Sequence, residues 1–480
     1  MKFSKLQDWL DWQTELHPQS IDMGLERIRP VFTSLLASSQ TSGLPTGKEK
    51  EKGKEKGKEK KLATKVIVVA GTNGKGSIVS LLESLYVSGG YQVGTYTSPH
   101  LLRYNERVRI NGEPVSDEQL CNAFDHVENV RGETSLTYFE FGTLAAFDVF
   151  QHQKLELVIL EVGLGGRLDA VNLVDADVAI ISNIQLDHTD WLGDTREKIA
   201  IEKLGVARPG KPLIIADDDL PDNVLPLLSE NFSPEKKLVE KKMTTFVLGE
   251  SFGFSASGFD HRKDSWDWWC DAVDGKRQKK HSLPLPALRG AHQFKNASAA
   301  LTATALLNAE LPLSMNHIRV GLNNVSLPGR FQFERVADKT VILDVAHNPH
   351  GMQAFIQNLK QLPALGETYL VFAMLNDKSV EEVVLMLDAE IDHWLLAGLD
   401  NERALPLQVL ADVVSTNATN RSSLIQFECV ADACQLAFKK MQPNDYLLVV
   451  GSFFTVADAL LSFNQRLQNS HFISQTDGHG

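Results

Sequence analysis

Short, almost uniformly apolar runs punctuate the first half of this 480-residue chain: Val66–Ala70, Gln92–Tyr96, Leu157–Glu161, Val178–Asn183 and Pro212–Ala216. Between them, apolar positions return at helical spacing. Strands that do not alternate apolar with polar residues are covered on both faces, so the pattern predicts an α/β protein with a parallel sheet. In such a sheet ligands gather at the carboxyl ends of the strands. The segment before Val66 reads as a helical hairpin. Leu238–Leu288, with Phe246-Val-Leu, Phe252-Gly-Phe and Trp266-Asp-Trp-Trp-Cys270, reads as a small antiparallel extension, and Asn296–Leu307 as an alanine-rich helix. Leu327-Pro-Gly-Arg-Phe331 breaks regular structure as a hinge. Beyond it a second α/β series begins, with strands at Thr340–Val345, Thr368–Ala373, His393–Ala397 and Asp445–Gly451. Two domains are expected, residues 1–326 and 327–480.

Residues 47–61 interrupt this rhythm with eight Lys, four Glu and three Gly and no apolar residue. Such a segment has nothing to bury, and a disordered surface insertion is expected. It lies before the phosphate loop and away from any motif, so its deletion is expected to leave turnover intact.

Composition narrows the class. A hydrophobic content of 43% with 23% charged residues is that of a globular enzyme, and no apolar run long enough to span a bilayer occurs. The N-terminus lacks the continuous apolar region of a secretory signal. Cys121, Cys270, Cys429 and Cys434 are scattered and have no zinc-like spacing. These features predict a cytoplasmic protein with reduced thiols and no membrane partner. The net charge of −13 argues against a nucleic-acid partner, since backbone phosphates demand cations.

Chemistry enters at the end of the first strand. Val66–Ala70 feeds Gly71-Thr-Asn-Gly-Lys-Gly-Ser77, a glycine-rich turn with one lysine at the start of a helix, the arrangement that cradles the phosphates of ATP or GTP. It departs from the usual phosphate loop, which would place Gly at 69 and Ser or Thr at 76, where this chain has Val69 and Gly76. Other polar groups follow the remaining strands. Ser98 offers a hydroxyl of the kind that ligates magnesium, or it serves as a turn or cap residue. Glu161 is a second metal-ligand or water-positioning candidate, or a strand-end carboxylate with a structural partner. His188 would complete a magnesium site or be a satisfied histidine. Lys203 falls on the apolar side of a helix. Desolvation there favours the neutral amine, which captures carbon dioxide as a carbamate. An exposed lysine in an i, i+4 pair is the alternative. In the second half Asp344 and His347 lie just past a strand, and Arg330 in the hinge is a cation suited to a transferring phosphoryl group. No Ser/His/Asp or Cys/His arrangement suggests a covalent nucleophile.

The motifs taken together resemble the folylpolyglutamate synthase/dihydrofolate synthase family of Mur-type amide ligases. The pieces that carry the likeness are Ser20–Arg27, Gly71–Ser77, Ser98–Leu101, Tyr104–Val108, Thr137–Gly142, Glu161–Ala170, Asp187–Gly193, Glu202-Lys203, Pro328–Phe331 and Asp344–Pro349. The resemblance implies a phosphate-loop ATPase domain with a parallel sheet and a smaller, Rossmann-like C-terminal domain that ligates glutamate. It implies ATP binding by Thr72, Asn73, Gly74, Lys75, Gly76 and Ser77, with Asn296, Arg330 and Asp344 meeting adenine, phosphate and ribose. Ser98, Glu161 and His188 would hold magnesium, and Lys203 would be carbamylated. Lys75, Lys203, Arg330 and His347 would be catalytic. The pterin would lie against Thr137, Tyr138, Phe139, Glu140, Leu168, Asp169 and Ala170, with His17 as an N-terminal contact. The implied reaction joins L-glutamate to dihydropteroate and to tetrahydrofolate through an acyl phosphate, in a monomer. Rival readings are a peptidoglycan Mur ligase and a phosphate-loop switch that ligates nothing. The Thr137–Leu144 and Leu160–Ala170 segments favour a folate substrate over the first of these.

Overall fold

A computed structural model describes residues 1–38, 62–226, 244–256, 265–271, 276–336, 338–363, 366–419 and 424–476. The insertion at 47–61 therefore lies outside the described residues. The chain divides into two compact units, the first formed by residues 1–100, 104–287 and 294–325, the second by residues 101–103, 288–293 and 326–480.

The first unit is built on an eight-stranded sheet in the order β4-β3-β2-β5-β1-β6-β7-β8. The phosphate-loop strand β1 (Lys65–Ala70) is central, with β5 (Leu157–Glu161) and β6 (Val178–Ile181) running parallel to it on either side. β2 (Val93–Tyr96) extends the sheet beyond β5, while β7 (Leu213–Ile215) and β8 (Thr245–Val247) extend it beyond β6. Only β3 (Val108–Ile110) and β4 (Glu113–Pro114) are antiparallel, at one edge. The apolar runs form the sheet because burial on both faces stabilises each large aliphatic side chain by about 1.5–3 kcal/mol. Val66–Ala70 are all buried.

Helices supply the covering layers. α1 (Leu6–Glu15) and α2 (Ile28–Ser38) form the expected N-terminal pair and pack with α4 (Asp117–Arg131) and α5 (Tyr138–Gln151). α3 (Lys75–Ser88) follows the glycine turn. α6 (Thr189–Leu192) and α7 (Arg196–Leu204) follow β6. Phe246-Val-Leu does not belong to the antiparallel extension. It lies in β8, parallel to β7, because its partner is the apolar edge Leu213–Ile215. The extension itself consists of β9 (Phe252–Ala256), β10 (Ser265–Asp271) and β11 (Arg277–Pro284). Its inward Trp268 donates from Nε1 to the Ser298 carbonyl at 3.2 Å and so fixes the sheet on α8 (His292–Leu306). α9 (Met315–Asn324) closes this part against α3.

The second unit carries a six-stranded sheet, β12-β13-β17-β14-β15-β16. β13 (Lys339–Asp344), β17 (Tyr446–Val450), β14 (Thr368–Phe372), β15 (His393–Ala397) and β16 (Leu424–Phe427) are parallel, and β12 (Gln332–Val336) is an antiparallel edge. Helices α10 (Pro349–Leu359), α11 (Val380–Leu387) and α12 (Leu407–Asn417) cover one face, and α13 (Val430–Lys440) and α14 (Phe453–Thr476) the other. Among the described residues no helix is long and apolar enough to cross a membrane.

Candidate nucleotide and acid site

Strand order decides which loops meet in the first unit. The connection from β1 leads to β2 on one side of the sheet, and the later connection from β5 crosses past β1 to β6 on the other, which makes the carboxyl end of β1 the natural crevice. Gly71–Ser77 leave that end, flanked by the ends of β5 and β6.

Gly74 caps α3 in the left-handed region, at φ +90°, and a Cβ there would stand 2.8 Å from Asn296 Oδ1. Only glycine fits this position, and the close approach brings the predicted adenine residue Asn296 onto the phosphate loop. Lys75 Nζ donates to the carbonyls of Gly71 and Thr72 at 3.1 Å each. The backbone N–H groups of Thr72 and Asn73 are not open to a ligand as the motif suggests. Asn183 accepts both through Oδ1, at 3.2 and 2.8 Å. Asn183 thus shapes the loop, and its place just past β6 is the one sequence signal of that role. Ser77 is buried in the first turn of α3.

Ser98 and Glu161 end neighbouring strands β2 and β5. The Ser98 N–H donates to Glu161 Oε2 at 3.3 Å, and Glu161 is buried. The Ser98 backbone and the Glu161 carboxylate are therefore neighbours, and serine hydroxyls and carboxylates are the hard oxygen donors that a magnesium-like ion takes. His188 begins α6 with φ +52° and is exposed. Among the described residues, no three His, Cys, Asp or Glu side chains converge as a metal cluster.

Lys203 lies near the end of α7 with 3% of its surface exposed. Burial, reinforced by the charge of Lys75 and opposed by Asp187, pushes its ammonium down to about 7. Lys203 is thus buried, and the alternative of an exposed paired lysine is not met. Carbon dioxide capture requires the neutral amine.

The pterin-binding stretch opens α5. Thr137 is its N-cap: Glu140 N–H donates to Thr137 Oγ1 at 3.2 Å, and Thr137 N–H donates to Glu140 Oε2 at 2.8 Å. Both side chains thus shape the helix start. Tyr138 stands edge-on to Tyr104, and Phe139 packs beside Tyr96 and against Gly163, where a Cβ would come within 2.5 Å of its ring. Asp169, between Leu168 and Ala170, accepts from the N–H groups of Leu164 and Val171 at 2.9 Å each, and burial pushes its carboxyl up to about 6. His17 reaches this region through a relay. Its Nε2 is 3.4 Å from Asp22 Oδ2, Asp22 accepts from Arg27 at 2.8 Å, and Arg27 holds Glu140. Asp22, Arg27 and Met23, whose Cε approaches Gly165, are not among the predicted site residues. They occupy the Ser20–Arg27 motif, which was the available signal.

In the second unit Asp344 ends β13. It accepts from the N–H groups of Phe331 and Ala346 at 2.8 Å each, and burial raises its carboxyl while Arg330 opposes the shift. The first of these bonds holds Phe331 at φ +43°, a strained conformation for an aromatic residue. Arg330 and His347 both face the Phe453 ring, at 5.2 Å and 6.3 Å, so the three residues form one local constellation.

Two family descriptions match the chain, the Mur ligase middle domain at residues 69–304 and the Mur ligase glutamate ligase domain at residues 329–453. The dihydrofolate synthase/folylpolyglutamate synthase of Escherichia coli K12 is 37% identical over 457 residues, covering 95% of each chain. A solved structure of E. coli FolC in complex with DHPP and ADP superposes with a TM-score of 0.82 at 36% identity, covering 96% of this chain and 98% of that one. A bifunctional folylpolyglutamate synthase/dihydrofolate synthase solved with Mn, AMPPNP and L-glutamate bound gives a TM-score of 0.79 at 37% identity, with 96% and 98% coverage. With its loop, strand-end carboxylate and buried lysine in the arrangement described, the chain belongs to the dihydrofolate synthase/folylpolyglutamate synthase family of Mur ligases.

Proposed function

We propose that the protein is an ATP-dependent ligase that joins L-glutamate to 7,8-dihydropteroate, forming dihydrofolate, and to tetrahydrofolates, extending their glutamate tails. The observation that carries this reading is the juxtaposition, at the ends of β1, β2 and β5, of a nucleotide loop, the Ser98–Glu161 pair and the buried Lys203. The matched relatives bear the names of both activities.

Residues 1–326 are assigned to ATP and pterin binding, and 327–480 to glutamate ligation. Thr72–Ser77 and Asn296 hold the nucleotide, Lys75 turning from its loop carbonyls to the phosphates. Ser98, Glu161 and His188 would hold a divalent cation, which offsets phosphate charge when bound. Lys203, as a carbamate, would add a further carboxylate to this set. Arg330, Asp344 and His347 keep the phosphate, ribose and catalytic roles implied by the resemblance. Tyr138 and Phe139 offer rings to the pterin, while Asp169 offers a carboxyl whose burial lets it exchange a proton near neutral pH.

The substrate carboxylate takes the γ-phosphoryl group of ATP, ADP leaves, and the amine of glutamate attacks the acyl phosphate. An amide forms, phosphate departs and the amine proton is released. Positioning and charge neutralisation supply the rate. The test is ADP release by the purified protein with dihydropteroate or tetrahydrofolate, with and without L-glutamate. Release that requires both the pterin acid and glutamate is expected. Release indifferent to glutamate would instead mark a nucleotide-hydrolysing switch.

A further inference from the structure

Arg107 is a buried cation with no counter-ion among the described residues. It sits in the short turn Tyr104–Arg107 between β2 and β3, with 9% of its surface open. Its Nε donates to His100 Nδ1 at 2.9 Å, and the Tyr96 hydroxyl is its other polar neighbour. The Tyr104 and Tyr138 rings flank the guanidinium at 5.2 and 5.7 Å. Among the described residues no carboxylate pairs with it, whereas Arg109, two residues on, is held by Glu83 at 2.6 Å. Burying an unpaired charge is costly, and aromatic faces and an imidazole offset only part of that cost. A guanidinium kept in this state is suited to an incoming anion, and its planar fork matches a carboxylate with two parallel hydrogen bonds.

Position indicates which anion. Tyr138, over which Arg107 lies, belongs to the stretch assigned to the pterin. His100, which Arg107 holds, is two residues from Ser98. Arg107 therefore joins the aromatic wall to the strand end where the acid must be activated. We propose that Arg107 receives the carboxylate of the pterin acid substrate and orients it for phosphorylation. This assignment rests on the ligase reading above and adds a substrate-binding residue to it. Ion pairing would hold the carboxylate in one geometry, and the flanking rings would select an acid carried on a flat aromatic body.

The test uses the full-length enzyme and two substitutions, Arg107→Gln and Arg107→Lys. Arg107→Gln is expected to raise the KM for dihydropteroate about tenfold or more, with the KM values for ATP and L-glutamate within about twofold of wild type. Arg107→Lys, which keeps the charge and loses the fork, should fall between and serves alone if the first variant does not fold. Binding of 6-methyl-7,8-dihydropterin, which lacks the carboxylate, is measured in parallel and should be equal in wild type and variants. An unchanged dihydropteroate KM, a rise that falls on L-glutamate instead, or equal loss of the neutral pterin overturns the assignment. A wild-type enzyme that never ligates glutamate overturns the proposed function itself, a result distinct from an active wild type with indifferent variants.

Discussion

Arg27 and Glu140 form a two-pronged ion pair, Nη1 to Oε2 and Nη2 to Oε1, each at 2.9 Å. The same carboxylate closes the capping box at the start of α5. One guanidinium therefore ties the Ser20–Arg27 segment to the helix whose first residues are assigned to the pterin, and Asp22 extends the tie to His17.

Arg27→Ala leaves Glu140, with 4% exposure, as an unpaired buried charge. A loss of about 2–4 kcal/mol is expected, read as a fall of several degrees in melting temperature. Because the pair positions Tyr138 and Phe139 without touching the phosphate loop, the KM for dihydropteroate should rise while that for ATP stays near wild type. Parallel increases in both would show that the tie is not local.

Lys203→Ala should abolish ligation, with partial recovery on addition of short carboxylates such as acetate. In the proposed role this amine captures carbon dioxide, and its burial, reinforced by the Lys75 charge, pushes the ammonium down to about 7. Protonation below that pH removes the nucleophilic form, so wild-type activity should fall as pH drops below neutrality and rise with added bicarbonate. A stability effect accompanies this. The unfolded amine, near 10.5, binds a proton that the folded one has lost, so the penalty that this group imposes on folding at low pH is relieved as pH rises from about 7 toward 10.5. Full activity in the alanine variant would remove the carbamate from the mechanism.

Much of both sheets was legible because their central strands are buried on both faces and read as plain apolar runs; Leu157–Glu161 in the first and His393–Ala397 in the second match the observed strands end for end. The edges were not. β3, β4 and β12 are short or polar and take their conformation from a neighbour, and Phe246–Leu248 gives no sign of whether its partner is parallel. The same division holds in the site. Gly74, Glu161 and Lys203 stand out because their residue types are anomalous where they occur. Asn183 and Arg27 act through contacts 110 and 113 residues away, which no local pattern encodes.

His126 on α4 links three helices. Its Nδ1 lies 2.6 Å from Asp148 Oδ1 on α5, and its Nε2 lies 2.8 Å from Ser38 Oγ at the end of α2. The Asp148 hydrogen bond raises its pKa above the usual value, with Asp125 adding to the effect and burial opposing it, and His152 stands nearby on the other side of Asp148. A raised folded pKa means that the contribution is complete below about 6.5 and disappears as pH rises through the higher folded value. His126→Gln should therefore cost about 1–2 kcal/mol at pH 5.5–6, with the difference from wild type shrinking toward pH 9. Denaturant unfolding at several pH values measures it, and a pH-independent difference would mean the histidine acts by packing alone.

Gly74→Ala tests the nucleotide loop from the backbone side. A side chain at φ +90° is strained by about 1–3 kcal/mol, and the new Cβ would also meet Asn296 Oδ1 at 2.8 Å. Relief requires either the start of α3 or the Asn296 side chain to move, and both are assigned to the nucleotide. The expected result is a KM for ATP raised about tenfold or more, with binding of dihydropteroate unchanged, since Tyr138 and Phe139 make no contact with Gly74 among the contacts described. Adding Asn296→Ala should relieve the clash but not the strain or the lost amide. The double variant should therefore not regain wild-type ATP affinity, and full recovery would show that the approach of the two residues matters only sterically.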